Sequence, residues 1–390
     1  MTDFDVIVVG GGPAGSMAAK FAAQGGAKTI ILEKDRDIGY PVRCGEAVSD
    51  EGLRQFLEPQ QQWVAATISK IRMISPNGTV IDGAGHALGY VLHRRLFDYE
   101  LANLATKAGA KILTKAYVTG LKFDNGRVAG VEFEYLGEKK AYTAKIVIGA
   151  DGVESRLGRW AGLRTVLRLR DVESCVQYSV ANIEIDEERI DFYVGHKYAP
   201  GGYLWVFPKG DGKANIGLGV TGTEAKNYKA IDLLNKFMAD HYPQASTLTM
   251  ICGGVPVAKT LKHYIKNGLM LTGDAARMVN PVTGGGIVTG MHGGKLAGMT
   301  AAEAVEAGDY SVKFLDRYVK RWEKAGGESH ARLYRIANAL DSFSDDDLDD
   351  IAAKLEKVSP AKRTLLKIFS TAAMKRPGIL LDVAKAFAGF

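Results

Sequence analysis

The stretch VIVVGGGPAG (residues 6–15), followed eighteen positions later by Glu33 at the end of TIILE, has the residue types of a diphosphate site. A buried, β-branched strand runs into a turn that Gly10 makes tight. Gly12 lets backbone approach a pyrophosphate, and Gly15 lets the next helix pack against the strand. The N-terminus of that helix points free N–H groups and partial positive charge at the anion. An acid at the Glu33 position accepts from a ribose hydroxyl and disfavours a 2′-phosphate. The pattern predicts a bound adenine dinucleotide.

A second set of residues suits chemistry beside a flat ring. Cys44 lies in PVRCGE, a thiol followed by the bare N–H of Gly45, in the loop between the second strand and the next helix. A lone cysteine is more often a small buried hydrophobe; in this loop it becomes a candidate proton donor. Arg94, in VLHRRLFD, opens a helix and has a planar guanidinium suited to a pyrophosphate or a ring edge. Arg95 reads as solvent-facing. Asp274 follows the strand GLMLTG and is placed for a ribityl or ribose hydroxyl, while Gly284 to Gly286 can bring backbone N–H groups close to a ring. Tyr203, Trp205 and Phe207 alternate in YLWVFP, so they leave one strand face. That row is either ordinary core or the wall of an apolar channel. In the channel reading, Gly217 and Gly219 on the paired strand leave room for a chain-like substrate.

These residues need a scaffold, and the pattern of elements supplies one. The alternation at residues 4–34 opens a parallel, doubly wound sheet. A helix over 98–109 returns to it, followed by strands near 111–118, 121–124, 127–135 and 140–149, with Asp124-Asn125-Gly126 as a hairpin turn. Residues 66–92 read as a small set of antiparallel strands around Pro76-Asn77-Gly78, counted with this first domain. Residues 165–265 are dominated by strands, and helices fill 285–340. The fold class is therefore α/β. A discontinuous Rossmann-like dinucleotide domain (1–164 and 266–340) carries an inserted antiparallel-sheet substrate domain (165–265), and a helical region (341–390) follows.

With 390 residues and 46% apolar content, the chain can bury one large core or two joined ones. Cys44, Cys175 and Cys252 are too few and too scattered for a disulfide framework, a zinc site or an iron–sulfur set, which fits a reducing cytosol. No apolar run reaches the roughly 18 residues of a membrane span, and no leader segment is expected. The net charge of +6 is too modest to imply nucleic acid. All of it has one address: residues 351–390 carry eight Lys/Arg against Glu356 and Asp382. The acidic run SDDDLDD before them reads as a helix start. The basic tail reads as a packed helical cap or as a contact with an anionic membrane surface.

The segments at 10–15, 151–152 (GADG, with Asp151) and 273–287, in this order, resemble the FAD-binding signatures of the p-hydroxybenzoate hydroxylase-like flavoproteins. Together with PVRCGE, VLxR at 91–94 and YxWxFP with its trailing GxG, the chain is similar to the archaeal geranylgeranyl reductases over about residues 1–340. The resemblance implies FAD contacts at Ala14, Glu33, Cys44, Gly45, Ala47, Arg94, Val118, Asp274, Gly286 and Ile287. It also implies an isoprenoid-binding sheet that carries Tyr203, Trp205, Phe207 and Pro208. The implied activity is saturation of C=C bonds in the geranylgeranyl chains of ether phospholipids, by hydride from reduced flavin plus a proton. Those alkenes are not conjugated, so a proton donor must act nearly in concert with the hydride. Cys44, or a water held by the Gly284–Gly286 turn, fills that role equally well. No second Gly-rich strand–helix turn follows residue 34, so reductant is expected from ferredoxin, a reduced deazaflavin or transient nicotinamide. A cytoplasmic protein, peripheral at the inner face of the membrane, fits such a lipid. The rival reading is a flavin monooxygenase or halogenase, because the scaffold alone does not fix the reaction.

Overall fold

A computed structural model describes residues 2–83 and 89–387. Five residues of the 66–92 segment and the last three of the basic tail lie outside the described residues. Phe4–Val9, FDVIVV, is apolar almost throughout because helices and strands cover both of its faces. It is flanked by Thr29–Leu32 and Glu138–Gly149, both parallel to it, and the sheet continues to Lys111–Leu113 on one side and Leu269–Leu271 on the other. Glu138–Gly149 also pairs antiparallel with Arg127–Tyr135, which pairs with Ala116–Asp124. That last strand is continuous where two short ones were expected. The hairpin turn is as predicted, with Asn125 and Gly126 both at positive φ (48° and 79°).

The helix Pro13–Gln24 lies on the long helix Ile287–Ala307 at very short range. A Cβ on Gly294 would stand 2.1 Å from the Ala14 carbonyl oxygen, and one on Gly298 2.2 Å from that of Ala18. This crossing fixes the turns at residues 10–15 and 273–287 against each other.

The second sheet has seven strands, in the order Ser246–Val255, Glu173–Ala181, Lys213–Thr221, Tyr203–Gly210, Arg189–Val194, Lys70–Ile74, Val80–Asp82. Its outer face is apolar: Val176, Val180, Leu204, Val206, Ile216, Leu218 and Val220 pack under Leu234 and Phe237 of the helix Ala230–His241. Two features depart from expectation. The sequence pattern groups Lys70–Ile74 and Val80–Asp82 with the dinucleotide domain, yet Lys70–Ile74 runs parallel to Arg189–Val194 and completes this sheet. The Arg189–Val194 backbone would otherwise be an unpaired edge. The edge strand Ser246–Val255 was not foreseen.

After Leu340 come helices Asp345–Glu356, Leu365–Ala373 and Leu380–Phe387. The acidic run starts the first of them as expected, with Ser344 and Asp347 forming a reciprocal capping box. The basic tail is less free than its composition suggests. Arg363 is buried and donates to the carbonyls of Leu355, Glu356, Val358 and Asp82. Lys375 bridges Asp347 and Asp350, and Arg376 lies over the Phe343 ring.

Candidate active site between the two sheets

A cleft of about 500 Å³ opens where the ends of the parallel strands meet the inner face of the second sheet. Of the sequence-predicted residues, Gly10, Gly12, Glu33, Cys44, Gly45, Arg94, Val118, Asp151, Asp274 and Trp205 line it. The turn at its floor is built as the spacing implied. Gly10 adopts φ +102°, and a Cβ there would meet the Ala150 carbonyl oxygen at 2.3 Å; one on Gly15 would meet the Gly10 oxygen at 1.9 Å. Gly12 faces open space. The helix start at Pro13 has no side-chain cap and no acid in its first turn, so its N–H groups face the cleft unneutralised.

Of the carboxylates that line the cleft, three are those expected from the sequence. Glu33 accepts the Gly11 N–H through Oε2 at 2.7 Å and the Asp35 N–H through Oε1 at 2.9 Å, yet burial still pushes its carboxyl up. Asp151 accepts the Leu157 N–H at 3.0 Å through Oδ2, while its buried Oδ1 has no hydrogen-bond partner among the described residues. Asp274 is pushed up to about 6 by burial, against the pull of Arg94. A buried oxygen without a donor costs free energy unless a ligand hydroxyl or water supplies one. The open Gly12, the uncapped helix start and these carboxylates fit the diphosphate, ribose and ribityl parts of FAD. No cluster that could hold a metal occurs among the described residues.

The PVRCGE loop forms the far wall. The Cys44 thiol accepts the Glu46 N–H at 3.2 Å; burial pushes it up, with Arg94 opposing. The Arg94 guanidinium is held by both oxygens of Asp98, at 2.7 and 2.8 Å. Burial pulls it down, but Asp98, Cys44 and Glu46 outweigh this and keep it charged. It is therefore a fixed cation facing Cys44 and Asp274, while Arg95 is exposed and paired with Asp37, as expected.

Four residues that sequence reasoning passed over bolt this loop to the second sheet. Glu46, at φ +73°, accepts the Arg94 N–H through Oε1. Its Oε2 receives Lys209 Nζ at 2.6 Å and Asn215 Nδ2 at 2.5 Å. Gln177 donates to the Cys44 carbonyl at 3.0 Å and accepts from Trp205 Nε1 at 2.9 Å. A non-glycine residue in the left-handed region beside a functional loop would have been the signal, but φ is not written in sequence.

The aromatic row does share one face: Tyr203, Trp205 and Phe207 gather around Phe192 with ring centroids 5.4–6.2 Å apart. One expectation needs correction. Gly217 leaves no channel for a substrate, because Trp205 Cζ2 and Gln177 Cβ already stand 2.6 and 2.8 Å from where its Cβ would be. At Gly219 that space is bounded by Cys175 Sγ at 3.0 Å. Gly45 is small so that Phe207, at 2.9 Å, can close over it. Ala14 sits at the helix crossing against Gly273 and Gly294. Ala47 and Phe207 belong to the apolar cluster under the loop, and Pro208 to the strand ladder with Ala214. Gly286 and Ile287 form the start of the long helix beside Asp274.

These features define an FAD-dependent oxidoreductase, and a model described as FAD dependent oxidoreductase matches residues 5–202. A second model, the geranylgeranyl reductase catalytic domain, matches residues 171–255. The chain is 42% identical to a digeranylgeranylglycerophospholipid reductase of Methanocella arvoryzae, over 98% of both chains. It is 43% identical to one of Methanosarcina mazei, over 98% of this chain and 96% of that one. A solved geranylgeranyl bacteriochlorophyll reductase-like protein from Thermoplasma acidophilum superposes with a TM-score of 0.91 at 37% identity, covering 98% of this chain and 99% of that one. A flavin-dependent brominase, at 16% identity and a TM-score of 0.73, shares the fold. The chain belongs to the digeranylgeranylglycerophospholipid reductase family.

Proposed function

We propose that this protein saturates C=C bonds in the geranylgeranyl chains of archaeal ether phospholipids, with FAD as its resident cofactor. The observation that carries the reading is the meeting of three parts in one cleft: the dinucleotide turns, the Cys44 loop and the Trp205 face of the second sheet. Residues 1–164 and 266–340, without the strands at 70–82, form the FAD-holding part; 165–265, joined by those strands, form the cover over the substrate. When bound, FAD supplies a hydride to one alkene carbon. The chain holds the diphosphate at Gly10–Gly15, accepts hydroxyls at Glu33, Asp151 and Asp274, and keeps water from the reacting carbons with the aromatic cluster. Cys44 Sγ is one candidate donor of the accompanying proton. Reducing equivalents would come from an external donor: a ferredoxin, a reduced deazaflavin or a nicotinamide. The test is anaerobic: reduce the flavin with dithionite, add a geranylgeranyl glycerol ether lipid, and follow reoxidation and product mass. Reoxidation with gains of two hydrogens per step supports the reading. A flavin that ignores lipid but reacts with oxygen and hydroxylates or halogenates an aromatic replaces it with the monooxygenase or halogenase reading.

The substrate must be drawn from a bilayer, and no helix among the described residues is long and apolar enough to cross one. The surface that suits peripheral contact is the segment 156–170 at the cleft mouth. Arg156 and Trp160 line the cleft there, and Trp160, Val166 and Leu169 are 37, 71 and 51% exposed among Arg159, Arg164 and Arg170. Exposed apolar side chains interleaved with arginine match an anionic lipid surface better than the partly neutralised tail. Co-sedimentation with phosphatidylglycerol vesicles checks this. V166D/L169D should lose most binding, and K357E/K367E in the tail should lose little; the reverse result returns the contact to the tail.

A further inference from the structure

The inner face of the second sheet carries a polar row that the reading above leaves unused. Glu173, Cys175 and Gln177 alternate along one strand, and Cys175 and Gln177 line the cleft. Glu173 Oε1 accepts the Thr221 hydroxyl at 3.1 Å, while its buried Oε2 has no hydrogen-bond partner among the described residues. Oε2 and Cys175 Sγ flank the same bare glycine, 3.5 and 3.0 Å from where a Cβ of Gly219 would stand. Oε2 is also 3.0 Å from the Cβ position of Gly202, and Asp341 Oδ1 is 3.0 Å from that of the neighbouring Gly201. Asp341, at the end of the helix Glu328–Leu340, has part of its surface open to solvent and part packed against the sheet, so these groups run from solvent to the cleft wall.

We propose that Glu173 is the proton reservoir of the site, recharged from solvent through Asp341 and discharged into the cleft through the thiol of Cys175. The proposal rests on the reductase reading, in which each saturated bond takes one hydride and one proton. Cys175 Sγ donates to the Glu173 main-chain carbonyl at 3.8 Å and not to Oε2, so the hand-off runs over a water between the two side chains. In the proton step, Cys175 Sγ–H breaks as a C–H bond forms on the alkene, a water O–H breaks as Sγ–H re-forms, and Glu173 Oε2–H breaks as the water regains its proton. The carboxylate left on Glu173 regains its proton from solvent.

The electrostatics agree with this geometry. Burial, with Asp341 adding to it and Thr221 opposing, pushes Glu173 up to about 8, so it is protonated at neutral pH. Burial and the nearby Glu173 push Cys175 up to about 12, so the thiol keeps its proton until the acid behind it replaces it. The other groups facing Glu173 do not supply a competing charge. Tyr203, from the adjacent strand, is driven up by burial and donates its hydroxyl to the Thr283 carbonyl. Asp341 is itself raised by burial, with His196 and Glu224 beyond it.

The test uses the FAD-loaded protein and two readouts. Infrared difference spectra of wild type against Glu173→Gln at pH 7 should show a carboxylic-acid C=O band that wild type loses above pH 8; a carboxylate at pH 7 overturns the proposal. In anaerobic single turnovers with geranylgeranyl ether lipid, Glu173→Gln should slow lipid reduction by about 100-fold and abolish its decline above pH 8. Glu173→Asp should recover part of the rate, and C175S should be faster than C175A. An unchanged rate and pH profile in Glu173→Gln overturns the relay. If wild type itself leaves the lipid unreduced, the reductase reading fails, and the infrared band then decides whether Glu173 holds the proton.

Discussion

The two halves of the cleft are built by opposite means. The dinucleotide half acts through backbone: glycines where a Cβ would collide, a helix start left uncapped, and strands whose side chains are almost wholly apolar. The half that covers the substrate acts through side chains. Its outer face is an ordinary core, but its inner face holds Glu173, Gln177, Asn215 and Lys209, two of which share the buried Glu46 of the facing loop. A backbone site tolerates little change of shape; a side-chain network tolerates little change of charge. The lesson is that binding the cofactor is a problem of fit here, while aligning the Cys44 loop with the substrate sheet is a problem of charge pairing in a dry place.

The largest expected effect breaks that network. Lys209→Met leaves Glu46 buried with only Asn215 and the Arg94 N–H, and removal of one partner of a buried pair costs roughly 3–5 kcal/mol. Chemical denaturation should show that loss, and K209M/E46Q should regain much of it. If the single and double variants are equally stable, the bolt is not electrostatic. Next comes the backbone half. A methyl at Gly15 meets the Gly10 carbonyl oxygen, so Gly15→Ala should cost about 1–3 kcal/mol by overpacking and lower flavin retention on gel filtration at least tenfold. Full retention would mean the turn yields without disturbing the diphosphate site.

The same contrast decides what could be read from sequence. Gly10–Gly15, Gly273-Asp274 and Gly284–Gly286 are local, since the turn each one makes is dictated within a few residues. The Rossmann-like half and its FAD were therefore legible. The network was not, because its partners stand far apart in the chain: 163 residues from Glu46 to Lys209, 169 to Asn215, and 133 from Cys44 to Gln177. No spacing rule joins them. Ser246–Val255 escaped notice for another reason. It is an edge strand exposed along most of its length, so the apolar residues of STLTMICGGV mark no buried face. Lys70–Ile74 was seen as a strand but given to the wrong sheet, because its partner lies more than a hundred residues away. Gly217 was misread because an absent side chain looks the same in sequence whether the space goes to substrate or to Trp205.

The smallest expected effect separates alignment from stability. Gln177→Leu removes the donor to the Cys44 carbonyl and the acceptor of Trp205 Nε1 while keeping a side chain of similar bulk. Both stranded groups are neutral, so the cost in stability should be about 1–3 kcal/mol. Flavin binding, set by the other half, should not change. What should change is the geometry of Cys44 relative to the Trp205 face: lipid reduction in single turnovers should slow about tenfold, while Trp205 fluorescence shifts as its indole loses its acceptor. A variant that is less stable but turns over lipid at the wild-type rate would make Gln177 a brace for the fold alone. A variant that is stable, holds flavin and is slow would show that the side-chain half sets the position of the loop.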